Sequence, residues 1–294
     1  MAPSENGRAE TLRLDDGRTL AWRGYGDPDG VPVLAMHGSP DSATVWRLAT
    51  TAASVVGVRL IAPDRPGFGA STPKPGRSII DSVDDLDVLT DHLGLTRYRV
   101  LAISGGSPYA LATAWRHPDR VVALGLWSVI APLDVPGIAD QASRPIRFTF
   151  FVARRLPFLL RPMAAAMVRA TRRDIDAAAE RIIRLRPEAD RAIIRRPDVM
   201  AVLKANLPSQ FNDPDSIATE MRNAARPWGF ELAEVTVPTV IWQGGLDDVH
   251  TPAMAHHLRT QLQQATMIFE PDYATFNFVD DLTDILTTLS NTAP

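Results

Sequence analysis

The stretch YRVLAISGGS, residues 98–107, runs from apolar residues directly into Ser104 and two glycines. The pattern predicts a strand up to the serine and a helix just after the glycines. The small residues Ala102 and Gly106 allow strand and helix to approach closely, and such a strained turn pushes the serine hydroxyl out at the edge of a sheet. Ser104 is therefore predicted to be a catalytic nucleophile; the alternative is a serine that only caps the helix.

Strands and helices alternate around this turn. In the first half, strands are predicted over residues 11–14, 19–24, 31–36, 58–62, 98–103 and 121–127, and helices over 41–53, 79–93 and 107–116. This alternation predicts an α/β fold with a mainly parallel sheet that is covered by helices on both faces. Right-handed connections bring the carboxyl ends of the strands to one edge, where such sheets carry their chemistry.

A change of pattern divides the chain. Between about residue 131 and residue 226 the periodicity is helical, and the alternation of strands and helices then resumes. The helical segments are predicted over 148–160, 163–172, 175–185 and 189–207, and the later strands over 237–242 and 265–269. We therefore predict one α/β core, residues 1–131 and 227–294, that is interrupted by a helical insertion over 132–226.

Composition excludes several classes of site. The chain has no cysteine, which excludes disulfides, thiolate metal sites and a cysteine nucleophile. The 31 basic and 34 acidic residues are spread along the chain, so no nucleic-acid partner is expected. The Arg-Arg pairs at 154–155, 172–173 and 195–196 are interpreted as solvated helix faces. Neither a dinucleotide fingerprint nor a metal-ligand spacing occurs, so no cofactor and no metal are predicted.

Location and partners follow from hydropathy. No apolar run approaches the roughly 20 residues of a membrane helix, and Met1 to Glu10 lack the apolar centre of a signal peptide. The sequence therefore predicts a cytoplasmic protein without a membrane partner. A small-molecule substrate and a monomeric or homodimeric state are expected as well.

Four motifs in order identify a family resemblance. They are HGSP at residues 37–40, DRPGFGAS at 64–71, SGGSPY at 104–109 and GGLD at 244–247. With them the chain resembles the α/β-hydrolase fold superfamily, in the branch of proline iminopeptidases, haloalkane dehalogenases and small esterases. The resemblance implies a mainly parallel eight-stranded sheet, with a helical cap inserted after the sixth strand.

The resemblance also implies roles for individual residues. Ser104 matches the nucleophile, and the backbone N–H groups of Ser39 and Gly105 match an oxyanion hole. Asp247 matches the acid, with Asp248 and Asp134 as alternative acids. His37, in the first motif, is usually structural in the family.

One expected residue is missing. The family's general base follows the eighth strand in a Pro-Gly-x-x-His pattern, but here Thr275 stands where the histidine is expected. No histidine follows His257, so a small shift of alignment does not supply one. His250, three residues after Asp247, is a candidate for a relocated base; the alternative is a loop histidine without a catalytic role.

Three hypotheses of function remain open at this stage. The first is a hydrolase of small to medium apolar esters, thioesters or lactones that uses Ser104 with an atypical or weak base. The second is a cyclase, lyase or isomerase that reuses the pocket, and the third is a catalytically silent ligand binder. We expect most apolar residues of the insertion to pack its own core and a few to form the pocket roof; the candidates are Phe148, Phe150, Phe151, Phe158, Met163 and Met167.

Overall fold

A sheet crosses the whole molecule in the computed structural model, which describes residues 7–292. The first six residues of the polar N-terminal stretch and residues 293–294 lie outside the described part. Within residues 7–292 the sheet has eight strands in the order β1-β2-β4-β3-β5-β6-β7-β8. The strand β2 runs in the direction opposite to the other seven. The strands are β1 (Ala9–Arg13), β2 (Thr19–Gly26), β3 (Val31–Met36), β4 (Val58–Pro63), β5 (Tyr98–Ile103), β6 (Val121–Trp127), β7 (Thr239–Gly244) and β8 (Ala265–Glu270). The predicted α/β class is confirmed.

Helices cover both faces of the sheet. The helices are α1 (Thr50–Val56), α2 (Asp81–His92), α3 (Ser107–Arg116), α4 (Arg144–Arg155), α5 (Leu160–Arg173), α6 (Ile175–Arg184), α7 (Glu188–Ile194), α8 (Pro197–Gln210), α9 (Pro214–Ala224), α10 (Pro252–Gln261) and α11 (Phe278–Asn291). One apolar cluster joins the sheet to α2, α3 and α10, and a second joins it to α1 and α11. All seven residues of the central strand β6 are buried, as expected for a strand that is covered on both sides.

The helical insertion consists of helices α4 to α9, which lie between β6 and β7. The single helix predicted over 189–207 is in fact two, α7 and α8. The break falls just before Pro197, because a proline disfavours helical backbone at the residue that precedes it and lacks an N–H for the helix ladder. The insertion buries its own apolar cluster, which also contacts Phe68 of the core. The exact boundaries at residues 132 and 226 stay a prediction.

Three phenylalanines of the insertion are not where the sequence analysis put them. Phe148, Phe151 and Phe158 are 60%, 53% and 72% exposed, so they pack neither the insertion's core nor a pocket roof. The prediction was wrong for them because helical periodicity locates an apolar face without saying whether a partner covers it. Phe150 and the two methionines are partly buried against apolar clusters.

Two structural features are absent from the described residues. Within residues 7–292 no helix is long and apolar enough to cross a membrane. The same residues contain no cluster of three histidine, aspartate or glutamate side chains suited to a metal ion.

Candidate active site

Ser104 lies at the carboxyl end of β5, in backbone that L-residues rarely adopt. Its φ is +54°, in the left-handed region, where a non-glycine residue is strained by about 1–3 kcal/mol. The turn leads directly into α3, and both the backbone N–H and the hydroxyl of Ser107 donate to the Ser104 carbonyl. The left-handed turn lifts the Ser104 side chain out of the strand and above the sheet edge, the geometry expected of a nucleophile elbow.

His250 directly contacts the serine. Its Nε2 lies 2.8 Å from Ser104 Oγ, within the range for direct proton transfer. The imidazole is only 6% exposed, and the buried side chain of Gln243 fixes its loop by donating to the His250 carbonyl. By contrast, His256 is exposed on α10.

Asp247, the predicted acid, faces this histidine. Its Oδ2 lies 3.8 Å from His250 Nδ1, an ion-pair distance that is longer than a hydrogen bond. Its Oδ1 accepts from the backbone N–H groups of Val249 and His250 at 2.9 and 2.8 Å. Burial alone would raise the pKa of Asp247, but the imidazole and the hydrogen-bond donors around the carboxylate lower the pKa to about 2.

The two alternative acids lie in other surroundings. Asp134 is exposed and its charge acts on His257. The backbone carbonyl of Asp248 accepts from the Ser143 N–H, at the start of the insertion. Neither carboxylate pairs with His250 among the described side chains.

Thr275 lies on the other side of the acid. Its hydroxyl donates to Asp247 Oδ2 at 2.8 Å, and its carbonyl accepts from the Trp127 indole at 2.7 Å. The residue is 6% exposed. Asp247 Oδ2 therefore lies between the Thr275 hydroxyl and His250 Nδ1.

The loop after β3 is held by buried polar contacts. His37 is fully buried; its Nε2 accepts from the Arg65 backbone N–H, so the ring proton is on Nδ1 and is donated to the Gly38 carbonyl. Burial lowers the pKa of His37 well below its ordinary value, which keeps the ring neutral. This histidine braces the loop and makes no contact with Ser104 among the described contacts.

Ser39 and Gly105 lie side by side. A Cβ on Gly105 would stand 3.1 Å from the Ser39 backbone nitrogen and 2.5 Å from its hydroxyl oxygen. The loop after β3 therefore contacts the turn that follows Ser104 so closely that only glycine fits at residue 105.

Glu220, on α9, connects the insertion to this loop. Its carboxylate accepts from the Ser39 hydroxyl, from both Arg65 and Arg77, and from the Tyr109 hydroxyl at 2.8 Å. Burial opposes ionisation, yet the two guanidinium groups hold the pKa of Glu220 well below its ordinary value. Arg65 also donates to the carbonyls of residues 37 and 38, so one buried ionic network fixes the loop that carries Ser39.

A second carboxyl borders the serine. Ser104 Oγ and Asp41 Oδ2 each lie 3.5 Å from the point where a Cβ on Gly38 would stand, so both face the same small space. Burial raises the pKa of Asp41 to about 6. Its other oxygen accepts from the Ser42 N–H at 2.8 Å and from the Asn206 side chain of α8.

A third unusual carboxyl fastens α7 to the loop that bears Thr275. Asp190 is fully buried; its Oδ1 accepts from the Phe276 N–H at 2.6 Å, and its Oδ2 has no partner among the described residues. Burial raises the pKa of Asp190 to about 6, and the charges of Asp247 and Asp248 act in the same direction.

Neither Glu220 nor Asp190 was predicted from the sequence as a site residue, and Asp41 entered only as the first residue of the helix predicted over 41–53. Glu220 and Asp190 stand in amphipathic helices, where a charged residue ordinarily faces water. For Asp41 a signal existed, because it directly follows the HGSP motif.

The Glu220 network gives a stability prediction. Glu220→Gln leaves two buried guanidinium groups without an anion, so the free energy of unfolding should fall by about 3–5 kcal/mol. Chemical denaturation measures the loss. Asp215→Asn is the matched control. Asp215 lies on α9 like Glu220, and its substitution removes only an exposed ion pair with Arg161 of α5, which should cost under about 1 kcal/mol. Equal losses in the two variants would refute the role of the network.

Asp190 gives a pH prediction. With its pKa raised, the folded protein retains a proton that the unfolded chain releases, so Asp190 makes stability fall as pH rises from about 4 to about 6. Relative to wild type, Asp190→Asn should therefore gain about 1–3 kcal/mol between pH 4 and pH 7. Denaturation curves across this range measure the gain. The exposed Asp198→Asn serves as control, and a wild-type-like pH slope in Asp190→Asn would contradict the prediction.

Comparison with known proteins places the chain in a family. A profile of the alpha/beta hydrolase fold family matches residues 31–282. Over 261 residues the chain is 26% identical to the uncharacterized hydrolase YcgS of Bacillus subtilis (strain 168), covering 88% of this chain and 89% of that protein. It is 34% identical over 128 residues to a proline iminopeptidase of Arabidopsis thaliana, covering 42% of this chain and 33% of the relative.

Solved structures share the fold at low identity. The enol-lactonase of Burkholderia xenovorans LB400 superposes with a TM-score of 0.69 at 20% identity, covering 95% of this chain and all of that one. The profile match spans most of the chain, and the sheet order and the Ser104 turn agree with it. The chain therefore belongs to the alpha/beta hydrolase fold family and is a hydrolase of that superfamily.

Proposed function

We propose that Ser104, His250 and Asp247 form the catalytic triad of a serine hydrolase, in which the base has moved to the loop of the acid. The observation that carries the proposal is the 2.8 Å contact between Ser104 Oγ and His250 Nε2. A serine hydroxyl is a weak nucleophile until an adjacent base takes its proton, and His250 is the imidazole within reach. This contact favours covalent serine chemistry over a non-hydrolytic enzyme or a silent binder.

The reaction proceeds in two balanced halves. His250 Nε2 takes the Ser104 proton as Oγ attacks the carbonyl carbon, and it then gives that proton to the leaving oxygen or sulfur as the acyl-enzyme forms. Water next attacks the acyl group and passes a proton to His250, which returns it to Ser104 as the acid is released. Asp247, ionised through the working pH range because of its low pKa, stabilises the imidazolium in each half.

The developing negative charge is stabilised by the backbone N–H groups of Ser39 and Gly105. The close packing of these two residues and the start of α3 beside them support this assignment. Because Glu220 and Arg65 hold the Ser39 loop, the helical insertion contributes to the shape of the oxyanion hole as well as acting as a cap over substrate.

Thr275 takes a supporting role in this proposal. In the family resemblance its position belongs to the base, but here its hydroxyl donates to Asp247 Oδ2 and orients the carboxylate toward the relocated imidazole. Thr275 thereby positions the Asp247 carboxylate, and the carboxylate stabilises the His250 imidazolium.

We propose a small to medium apolar ester, thioester or lactone as substrate. Two similar proteins act at an acyl carbon, as their names indicate. They are the enol-lactonase whose solved structure shares the fold and the proline iminopeptidase relative. An acyl carbon is also the electrophile that a serine nucleophile with two N–H donors fits.

Turnover of p-nitrophenyl esters tests the assignment. Ser104→Ala should abolish both hydrolysis and the acyl-enzyme seen by mass spectrometry. His250→Ala should lower kcat by about 10⁴- to 10⁶-fold, since the oxyanion hole and binding alone leave only a small residual rate. His256→Ala, an exposed histidine on α10, is the matched control and should keep wild-type activity.

Two results would count against the proposal. A His250→Ala variant that keeps activity within about tenfold of wild type would remove His250 as the base. An active Ser104→Ala variant would instead favour chemistry without an acyl-enzyme.

A further inference from the structure

One face of α4 combines exposed aromatic rings with exposed guanidinium groups. The outward positions of this helix follow helical spacing and are Arg144, Arg147, Phe148, Phe151, Arg154 and Arg155; Phe158 extends the row beyond its end. We call these seven residues the α4 face. The opposite side of the helix is buried through Val152 and Ala153, so the orientation of the helix is fixed by packing.

Within residues 7–292 no ion pair neutralises the charges of this face. No carboxylate among residues 7–292 lies within 4 Å of the guanidinium group of any of its four arginines. A groove of about 310 Å³ lies beside the helix; its lining includes one carboxylate, that of Asp140, together with Arg147, Phe151, Arg154 and Arg155. The chain as a whole has a formal charge of −3, so this face has the opposite sign to the molecule.

We propose that the α4 face binds the surface of an anionic phospholipid membrane, with the phenylalanine rings inserted at the acyl boundary and the arginines on the lipid phosphates. Rings and cations on one helix face are the composition of helices that lie in the membrane interface. Guanidinium groups bind phosphate oxygens through paired hydrogen bonds, and each basic residue near an anionic leaflet strengthens binding by roughly fivefold.

Other occupants fit the face less well. A second copy of the chain, packed face to face, would bring four unpaired guanidinium groups against four others, which is repulsive. A nucleic acid would bind the arginines through its phosphates. The three largely exposed phenylalanines would contact it only if it were single-stranded, since such rings stack on unpaired bases. The lipid interface satisfies both components.

No membrane partner was predicted from the sequence, because no apolar run is long enough to span a bilayer. That reasoning concerns spanning helices, and a helix that lies on the surface needs only one apolar side. The Arg154-Arg155 pair, interpreted from sequence as a solvated helix face, is exposed as predicted, but beside two exposed phenylalanines.

The position of the face has a consequence for the proposed activity. The Ser143 N–H, at the start of α4, donates to the Asp248 carbonyl at 2.8 Å, in the loop that carries Asp247 and His250. A membrane-bound α4 would hold that loop near the lipid surface, where apolar esters concentrate. This consequence rests on the proposed function, whereas the membrane binding itself does not.

Co-sedimentation with lipid vesicles tests the binding. The wild-type chain should sediment with phosphatidylcholine vesicles that contain about 30% phosphatidylglycerol. Its affinity for vesicles of phosphatidylcholine alone should be at least tenfold lower. Raising the salt from about 50 mM to about 500 mM should weaken the binding at least tenfold, because exposed charges are screened.

Matched variants separate the two components. Arg154→Gln/Arg155→Gln should weaken binding roughly 30-fold, at about fivefold for each arginine. Arg172→Gln/Arg173→Gln removes the same charge at the carboxyl end of α5, about 20 Å from the start of that helix, which follows Phe158. This pair should change binding less than about threefold. Phe148→Ser/Phe151→Ser should weaken binding at least tenfold, whereas Phe269→Ser, an exposed ring on β8, should have little effect.

Several outcomes would overturn the inference. They are wild-type binding that ignores phosphatidylglycerol, equal losses in the two arginine pairs, or a dimer in light scattering that the Phe148→Ser/Phe151→Ser variant dissociates. Displacement from vesicles by single-stranded DNA at equal phosphate concentration would favour a nucleic acid instead. Vesicle binding without ester hydrolysis would leave this inference intact and would refute only the proposed function.

Discussion

The left-handed backbone of Ser104 is the constraint around which the site is arranged. It persists because β3, β5 and α3 pack so closely that a Cβ on Gly106 would stand 2.7 Å from the His37 carbonyl oxygen and 2.8 Å from that of Met36. This packing aims the serine hydroxyl at His250, and the strain is balanced by the buried apolar clusters on both faces of the sheet.

The helical insertion is part of the same arrangement. Glu220 reaches from α9 to Ser39 and Arg65, and Asn206 of α8 reaches Asp41, so the loop beside the serine is held from above as well as from the sheet. Loss of one partner from such a buried group of a carboxylate and two arginines strongly destabilises the fold, because it leaves a buried charge unpaired. The shape of the loop that carries Ser39 therefore depends on how the insertion packs against the core.

Much of this could be predicted from the sequence, because β5, its serine and the following helix are local patterns with one interpretation. The candidate base was identified from its spacing to Asp247, but only the fold could bring His250 to Ser104, 146 residues away in the chain. Glu220 was beyond sequence reasoning, since its partners are 111 to 181 residues distant and its helix is amphipathic. The exposure of Phe148 was missed for a related reason, because periodicity does not show what covers a face.

In the proposed triad, His250 activates Ser104. The rate at which a fluorophosphonate labels the protein measures this directly, because labelling needs an activated serine but no particular substrate. Labelling at Ser104 should be rapid in wild type and at least 1000-fold slower in His250→Gln, which keeps the side-chain volume but lacks the base. Equal labelling rates in wild type and His250→Gln would show that His250 does not activate Ser104.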